Sequence, residues 1–382
     1  MLDLARQYQP LRDEILSAIE GVLDSRQFIL GEAVANFELD AAAQLGVAHA
    51  IGCASGTDAL WLAIAAAGLS PLPGEAFQPS ILTTPFSFFA SVSSIIRAGA
   101  KPLLADIDPR TFNLSPTAVE ALLNSPAGAN LRAILPVHLY GQPADWDALA
   151  RITSGHNLTL VEDAAQAWGA KWNARPVGAL GSAAAFSFYP TKNLSAAGDA
   201  GMVSTNDPEI AERARMLRQH GMRRRYHHDE LGWNARMDGF QGAILGVKLK
   251  YIEQWTLARQ HAAARYNQLF HAAGLVEPGP YPAKGVVLPF CDPRATHVWH
   301  QYVLRTTRRD ELREFLTARQ IGSEIYYPIP LHLLDALKPL GYSEGDFPES
   351  ERAAKEVLAL PLFAEITEDE QKTVVAAIAE FL

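Results

Sequence analysis

Residues that could do chemistry occur in three short segments, each at a point where an apolar run gives way to a turn. The first is a small-residue turn at positions 52–58, in which Gly56 and Thr57 open a helix-forming stretch. Unpaired backbone N–H groups and the positive end of the helix dipole make such a turn a potential anion site. A simple helix cap, formed by Ser55 or Thr57, is the alternative interpretation of this segment taken alone.

The second segment is acidic. Asp163 follows the strongly apolar run 158–161. Because open α/β sheets bind ligands at the carboxyl edge of their strands, we expect this carboxylate in a ligand site. Taken alone, the same residue could equally cap the next helix.

The third segment contains a lysine. The predicted strand 183–188 runs into a Pro-containing turn that presents Ser187 and Lys192. Most single lysines are solvated, but apolar and small neighbours favour a lowered pKa and Schiff-base chemistry. Lys192 stands 29 residues after Asp163. A phosphate cradle, an acid for a pyridine nitrogen and an amine for an aldehyde are together what pyridoxal 5′-phosphate requires of a protein.

The elements that must position these residues alternate between short apolar runs and helix-forming stretches. Near-continuous apolarity in the runs predicts a mostly parallel sheet covered by helices on both faces. The predicted strands are 80–84, 101–105, 133–139, 158–161 and 183–188. The predicted helices between them are 57–67, 91–98, 115–123, 145–153 and 208–220.

The last third of the chain differs in character and predicts a second, smaller α/β domain. We place a large domain with a helical N-terminal segment at 1–250 and a small C-terminal domain at 251–382. In this region we expect one long helix over 238–270, a strand over 298–305 and a helix over 310–320. Thr367 and Glu370 have the spacing of a capping box at the start of a final helix.

Composition restricts the class of protein. The 382 residues carry 33 Lys and Arg against 42 Asp and Glu, a net charge of −9 that argues against a nucleic-acid partner. The two cysteines are too few for a disulfide framework or a four-Cys zinc site, so we expect no metal and a reducing, cytoplasmic setting. The start of the chain lacks the pattern of a signal peptide. The uncharged run 76–96 contains prolines and hydroxyl residues, which favours a buried strand and helix over a membrane span.

The joint order of several motifs resembles the DegT/StrS-type sugar aminotransferases. These belong to the fold type I pyridoxal-phosphate enzymes of the aspartate aminotransferase superfamily. The resemblance implies a large domain built on a mostly parallel, seven-stranded sheet covered by helices, followed by a smaller C-terminal α/β domain. It is carried by residues 2–4, 28–31, 55–60, 85–88, 136–141, 162–166, 187–194, 220–222, 232–237 and 358–362.

The resemblance implies roles for the residues that would face the cofactor ring. Lys192 would bind the aldehyde as a Schiff base and shuttle the proton once released. Asp163 would pair with the pyridine nitrogen and keep it protonated. Gln166 would lie near the ring hydroxyl, and Phe88 would stack on the ring.

The resemblance also implies how the phosphate is held and what the assembly is. Gly56, Thr57 and Ser187 would bind the phosphate within one subunit. Asn234 would reach it from the neighbouring subunit, which predicts a homodimer with shared active sites.

The implied reaction is ping-pong transamination from an amino-acid donor, L-glutamate by resemblance, to a nucleotide-linked keto-sugar. The sequence of residues 189–194 resembles that of enzymes that act at C3 of dTDP-linked keto-deoxysugars. Such enzymes take part in the biosynthesis of amino sugars for cell-surface polysaccharides. A 4-keto-sugar aminotransferase of the same family is one alternative. A regulatory or sugar-binding protein that keeps the fold without turnover is another.

Three segments depart from the family pattern or fall outside it. The turn at 68–79 is several residues longer than is usual. Tyr326 stands where the family often has His. The cluster 223–228, Arg-Arg-Arg-Tyr-His-His, could receive the pyrophosphate of a sugar nucleotide or could be a solvated loop.

Overall fold

The computed structural model describes residues 1–71 and 78–382. The predicted long turn at 68–79 falls largely on the six residues outside this range. The strands are β1 (His49–Cys53), β2 (Ser80–Thr83), β3 (Lys101–Leu104), β4 (Leu131–Ile134), β5 (Thr159–Asp163), β6 (Lys171–Trp172), β7 (Arg175–Pro176), β8 (Ala183–Ser187), β9 (Gly201–Thr205), β10 (Met222–Arg224), β11 (His227–His228), β12 (Ala295–Thr296), β13 (Tyr302–Arg305) and β14 (Val357–Leu360).

Helices surround these strands along the whole chain. They are α1 (Leu4–Tyr8), α2 (Arg12–Ser25), α3 (Gly31–Leu45), α4 (Gly56–Ala66), α5 (Ala90–Arg97), α6 (Pro116–Leu123), α7 (Trp146–His156), α8 (Pro208–Leu217), α9 (Gly239–Leu249), α10 (Ile252–Ala272), α11 (Arg309–Ala318), α12 (Pro348–Glu356) and α13 (Glu368–Phe381).

One seven-stranded sheet organises the large part of the molecule. Its strand order is β1-β9-β8-β5-β4-β2-β3. Strand β9 runs antiparallel to both of its neighbours, and the other pairings are parallel. The predicted mostly parallel sheet is therefore confirmed, with one antiparallel strand that the sequence patterns did not predict.

Helices cover both faces of this sheet, which explains why its strands read as continuous apolar runs. Successive residues in a strand point to opposite faces. Ile81 and Val161 accordingly pack in one apolar cluster with α4, α5 and α8, and their neighbours Leu82 and Leu160 pack in another with α3 and α9. A sheet buried on both faces leaves its edges and strand ends as the places for polar chemistry.

The predicted helix over 238–270 was wrong in one respect, because the structure has two helices there. Helix α9 ends at Leu249 and α10 begins at Ile252. Between them, Tyr251 stands at the N-cap position of α10, with φ −106° and ψ −7°. Its hydroxyl donates to Glu14, and its ring stacks on Trp255 at 6.1 Å. These side-chain contacts hold the break in place.

A further apolar cluster lies in the C-terminal part, around the antiparallel pair β13–β14. Helix α10 joins the two parts: Trp255 packs in the large cluster, whereas Tyr266 and Phe270 pack in this one. The predicted capping box is present, with Thr367 and Glu370 bonded reciprocally at the start of α13. The division of the chain at residue 250 stays a proposal.

Two features of the described residues bear on membranes and metals. Among the residues that the structure describes, no helix is long and apolar enough to cross a membrane. Nor does any group of three or more His, Cys, Asp or Glu side chains in that part of the chain lie where it could hold a metal ion.

Candidate active site

A cavity of about 510 Å³ opens at the carboxyl edge of the large sheet. The ends of β5 and β8, the start of α4 and the segments around 300 and 326 contribute its walls. Seven of the predicted site residues line it: Gly56, Thr57, Phe88, Asp163, Gln166, Ser187 and Lys192. Widely separated parts of the sequence thus meet in one place, as expected for strand ends at one edge of a parallel sheet.

The start of α4 forms an anion cradle. Ser55 caps the helix by accepting the N–H of Asp58 at 3.1 Å, and the other N–H groups of the first turn have no partner inside the helix. A Cβ at Gly56 would lie 2.5 Å from Cβ of Ser187, and one at Gly201 would lie 2.2 Å from the Ser55 carbonyl oxygen. Only glycine allows these backbones to approach, which brings the Ser187 hydroxyl against the helix start.

Asp163 ends β5 and is 3% exposed. The Ser91 hydroxyl donates to its Oδ2 at 2.7 Å, and the backbone N–H of Ala165 donates to its Oδ1 at 3.2 Å. Burial raises the pKa of this carboxyl group, whereas the two donors and the nearby Lys192 ammonium oppose the rise. A carboxylate held in this way is suited to stabilise a positive charge placed in the cavity.

Lys192 lies in the turn that follows β8, with its backbone N–H bonded to the Tyr189 carbonyl oxygen at 2.8 Å. Burial of its amine lowers the pKa of Lys192 to about 8, and the Asp163 carboxylate only partly opposes this shift. A substantial fraction of the amine is therefore neutral near pH 8, and the neutral form is the nucleophile for an aldehyde.

Glu162, the residue before Asp163, shows how differently two adjacent acids can be placed. It points to the other face of the sheet and has no exposed surface. Its carboxylate accepts three backbone N–H groups from the turn 178–181 at 2.9–3.0 Å and Nε2–H of His138 at 3.1 Å. This acid holds the turn and the end of β5 together and takes no part in lining the cavity.

Gln166 and Phe88 lie at the side of the cavity, where both contact Tyr327. The Gln166 side-chain nitrogen donates to the Tyr327 hydroxyl at 3.0 Å. The rings of Phe88 and Tyr327 are 6.2 Å apart. Phe88 remains 58% exposed, so one face of its ring is available to a flat ligand.

Asn234 is absent from the described lining of this cavity. It is exposed and accepts a hydrogen bond from Arg236 Nε at 3.1 Å. Its neighbours Leu231 and Trp233 are 80% and 53% exposed. Its predicted role, in the site of a second subunit, stays a prediction.

The cluster 223–228 forms the hairpin of β10 and β11, which lies at the surface. Arg223 is within 3.5 Å of the carboxylates of Glu212 and Asp229, and Tyr226 is 76% exposed. The structure does not bring this hairpin to the described lining of the cavity of its own chain.

Sequence reasoning missed several residues of the cavity. Ser91 lies in the uncharged run 76–96, and the hydroxyl side chains there gave no signal beyond excluding a membrane span. Tyr327 stands in a segment that was noted for its neighbour Tyr326 alone. The remaining lining residues that were not predicted include Ser87, Tyr189, Asp199, His300 and Gln301.

The side chains present fit pyridoxal 5′-phosphate. The cradle at Gly56 and Ser187 would hold its phosphate, Asp163 the pyridine nitrogen and Lys192 the aldehyde. Fold and site together define an α/β enzyme of the pyridoxal-phosphate class.

The chain belongs to the DegT/DnrJ/EryC1/StrS aminotransferase family, which matches it over residues 9–379. Enzymes of this family depend on pyridoxal 5′-phosphate, which is accordingly the cofactor of this chain. The chain is 48% identical over 381 residues to a pleiotropic regulatory protein of Geobacillus stearothermophilus, covering 100% of this chain and 98% of that protein. It is 41% identical to the dTDP-3-amino-3,4,6-trideoxy-α-D-glucose transaminase of Streptomyces venezuelae, covering 100% and 95%. It is 38% identical to the UDP-N-acetyl-3-dehydro-α-D-glucosamine 3-aminotransferase of Acidithiobacillus ferrooxidans, covering 100% and 97%.

Solved structures agree with this assignment. The crystal structure of S. venezuelae DesV in complex with a ketimine intermediate superimposes with a TM-score of 0.91 at 40% identity, covering 99% of this chain and 97% of that one. A DegT/DnrJ/EryC1/StrS aminotransferase from Brucella abortus also gives 0.91, at 32% identity, covering 100% and 98%. The predicted fold class and family are confirmed.

Proposed function

We propose that this enzyme moves an amino group from L-glutamate to the C3 keto carbon of a nucleotide-linked deoxyhexose, with dTDP as the nucleotide. The observation that carries the proposal is the placement of the Lys192 amine and the Asp163 carboxylate in one cavity beside an anion cradle. Support for C3 comes from relatives: the names of the S. venezuelae and A. ferrooxidans enzymes both place the amino group at that carbon.

Lys192 carries the proton transfers. When bound, the cofactor supplies an aldehyde that exchanges amino groups and a ring that accepts an electron pair. The Lys192 amine holds the aldehyde carbon until a donor amine displaces it. Once free and neutral, it takes the proton from the α-carbon of glutamate and later returns a proton to the sugar carbon.

Asp163 supplies a fixed negative charge where positive charge develops. Because it is buried and held by Ser91 and the Ala165 N–H, it needs no rearrangement during the reaction. Asp163 should therefore affect the rate of proton transfer more than the affinity for either substrate.

The partner subunit completes the site in this proposal. Asn234 is exposed, and neither it nor the hairpin 222–228 lines the described cavity of its own chain, so we take both to be available to a second copy. Asn234 would then bind the cofactor phosphate across a homodimer interface. The arginines at 223–225 would face the pyrophosphate of the sugar nucleotide. We also place the enzyme in the cytoplasm, since Cys53 and Cys291 are both free thiols.

Reversal of the half-reaction tests the substrate. Protein loaded with pyridoxamine 5′-phosphate is mixed with 3-keto and 4-keto sugars, each linked to dTDP or UDP, and with simple keto acids. Return of the absorbance of the aldehyde form with dTDP-3-keto sugars supports the proposal. A response to 4-keto sugars alone moves the reaction to C4, and a response to keto acids alone contradicts the sugar assignment.

Mixed dimers test the shared site. Lys192→Ala and Asn234→Ala variants are each purified and then mixed after mild dissociation. If Asn234 serves the partner's site, mixing restores one intact site in each heterodimer and recovers up to about a quarter of wild-type activity. No recovery, with heterodimers shown by mass, contradicts the shared site.

A regulatory protein without turnover is the second candidate, because the 48% identical relative bears a regulatory name. The two candidates differ in their response to glutamate. A catalyst changes the absorbance of its bound cofactor and releases 2-oxoglutarate, whereas a binder shows neither.

A further inference from the structure

A closed ring of contacts joins Gln166 to the segment 325–330. The Gln166 Oε1 accepts the backbone N–H of Tyr140 at 2.6 Å, and its Nε2 donates to the Tyr327 hydroxyl at 3.0 Å. The Tyr140 hydroxyl donates to the carbonyl oxygen of Tyr326, whose peptide bond leads on to Tyr327. The carboxamide of Gln166 is therefore held at both of its ends.

These contacts fix which way the carboxamide faces. A backbone N–H only donates, so the side-chain oxygen must face Tyr140 and the nitrogen must face Tyr327. Nε2 has two N–H bonds, and the Tyr327 hydroxyl takes one of them. The second N–H of Gln166 remains for an acceptor in the cavity that Gln166 lines.

Tyr327 is itself firmly placed. Its ring packs against Phe86 and Phe88, with ring centres 6.4 Å and 6.2 Å away. Burial raises the pKa of Tyr327, so its hydroxyl keeps its proton at neutral pH. Among residues 1–71 and 78–382 the structure shows no hydrogen-bond acceptor for the proton of the Tyr327 hydroxyl. Tyr327 also lines the cavity.

We propose that Tyr327 is a positioning residue for the cofactor site: its hydroxyl orients the Gln166 carboxamide so that an N–H points to an anionic oxygen bound in the cavity. The C-terminal segment 325–330 thereby orients a hydrogen-bond donor, Nε2 of Gln166, that lies just after a strand of the large sheet. Without the Tyr327 oxygen, Nε2 has no fixed acceptor and the carboxamide is held at its oxygen end alone, by the Tyr140 N–H.

The adjacent tyrosine supplies a matched control. Tyr326 also lines the cavity, but its hydroxyl contacts the side chain of Gln301 instead of Gln166. Tyr326→Phe and Tyr327→Phe remove the same group from neighbouring positions. Only the second change removes the acceptor of Gln166 Nε2.

The test is a double-mutant cycle on the affinity of the apo-protein for pyridoxal 5′-phosphate. Binding is measured by the quenching of protein fluorescence. Loss of one hydrogen bond weakens binding by roughly three- to tenfold. We expect that loss for Tyr327→Phe, a similar or larger loss for Gln166→Leu, and a change below about twofold for Tyr326→Phe. Because Tyr327 acts through Gln166, the double variant Gln166→Leu/Tyr327→Phe should bind no more weakly than Gln166→Leu alone.

Since this role rests on the proposed function, the outcomes must separate the two. If wild-type protein fails to bind the cofactor, the proposed function fails. If Gln166→Leu weakens binding but the Tyr327→Phe loss is additive or absent, only the positioning role is overturned. Thermal unfolding of each apo-variant shows whether its fold is intact. Tyr140→Phe opens the same ring at its other side and replaces Tyr327→Phe in the cycle if that variant does not fold.

Discussion

Two lysines whose amines are withdrawn from solvent lie in neighbouring regions of this molecule and differ in what surrounds them. Burial lowers the pKa of Lys192 and of Lys248 alike, to about 8 in each case. Lys192 faces a cavity that also holds Asp163. The Lys248 amine, on α9, instead bonds to the Ser195 hydroxyl at 3.0 Å in the protein interior.

The comparison teaches that a lowered pKa does not by itself make a catalytic amine. Both amines have a neutral fraction near pH 8, so both are intrinsically nucleophilic. What distinguishes Lys192 is access to an open cavity, a carboxylate for the developing charge and an anion cradle close by.

The largest expected effect is on activity when the lysine in the cavity is removed. Lys192→Ala should lower kcat by at least about 10⁴-fold, because the same amine holds the aldehyde and moves the protons. Lys248→Met should retain activity within a few fold. Steady-state rates with glutamate measure both. Equal losses in the two variants would contradict the distinction.

The next effect concerns the acid partner. Asp163→Asn keeps an acceptor for the Ser91 hydroxyl but removes the charge, and should lower kcat by roughly 10²- to 10³-fold. The KM for glutamate should change much less. Steady-state kcat and KM measured together check this, and a raised KM with an unchanged kcat would mean that Asp163 serves binding alone.

Glu162→Gln is the matched control for Asp163→Asn. It places an NH₂ group against N–H donors, so the free energy of unfolding should fall by about 3 kcal/mol. The kcat of the folded protein should stay within about threefold of wild type. Denaturant unfolding and active-site-titrated rates separate these two effects. A hundredfold loss of kcat would show that Glu162 belongs to the reaction.

The pH dependence of cofactor binding by the apo-protein also distinguishes the Lys192 amine from the Lys248 amine. Because the neutral Lys192 amine attacks the aldehyde, the capture rate by apo-protein should rise about tenfold per pH unit below pH 8 and level off above it. Stopped-flow absorbance follows this rate. A rise that continues unchanged to pH 10 would indicate an ordinary solvated lysine. Lys248→Met should show the wild-type profile.

The smallest effect is on stability at the second lysine. Between pH 8 and 10.5 the unfolded chain binds the Lys248 proton and the folded chain does not, so the contribution of Lys248 to stability rises with pH there. Below pH 8, the buried charge costs about 3 kcal/mol, from a pKa lowered from 10.5 to about 8. Loss of the Ser195 bond costs about 1 kcal/mol.

Lys248→Met should therefore be about 2 kcal/mol more stable than wild type at pH 7 and about 1 kcal/mol less stable near pH 10.5. Denaturant unfolding at both pH values measures the difference. A difference that is the same at both would show that the Lys248 amine is not desolvated in the folded protein.

The residues of the cavity that local patterns could predict lie at strand ends or at the start of a helix. Asp163 and Ser187 each end a strand. An apolar run that stops at a polar residue predicts its place at the sheet edge, and the edge brings such residues together. The order of small residues around Gly56 likewise predicted the helix start that the structure shows.

Other features depend on contacts that no local pattern encodes. Strand β9 is buried throughout, as a parallel strand would be, so the sequence could not reveal that it runs antiparallel. Ser91 reaches Asp163 from 72 residues away, and Tyr327 reaches Gln166 across 161 residues. Hydroxyl residues are common in every kind of element, so only the folded chain singles out these two.

Covalent mapping shows which amine of the protein binds the cofactor aldehyde. Holo-protein is reduced with borohydride, digested, and examined by mass spectrometry for the pyridoxyl mass increment. The account predicts the label on the peptide that contains Lys192, with none on the peptide that contains Lys248. A label on Lys248, or on neither lysine in cofactor-loaded protein, would contradict it.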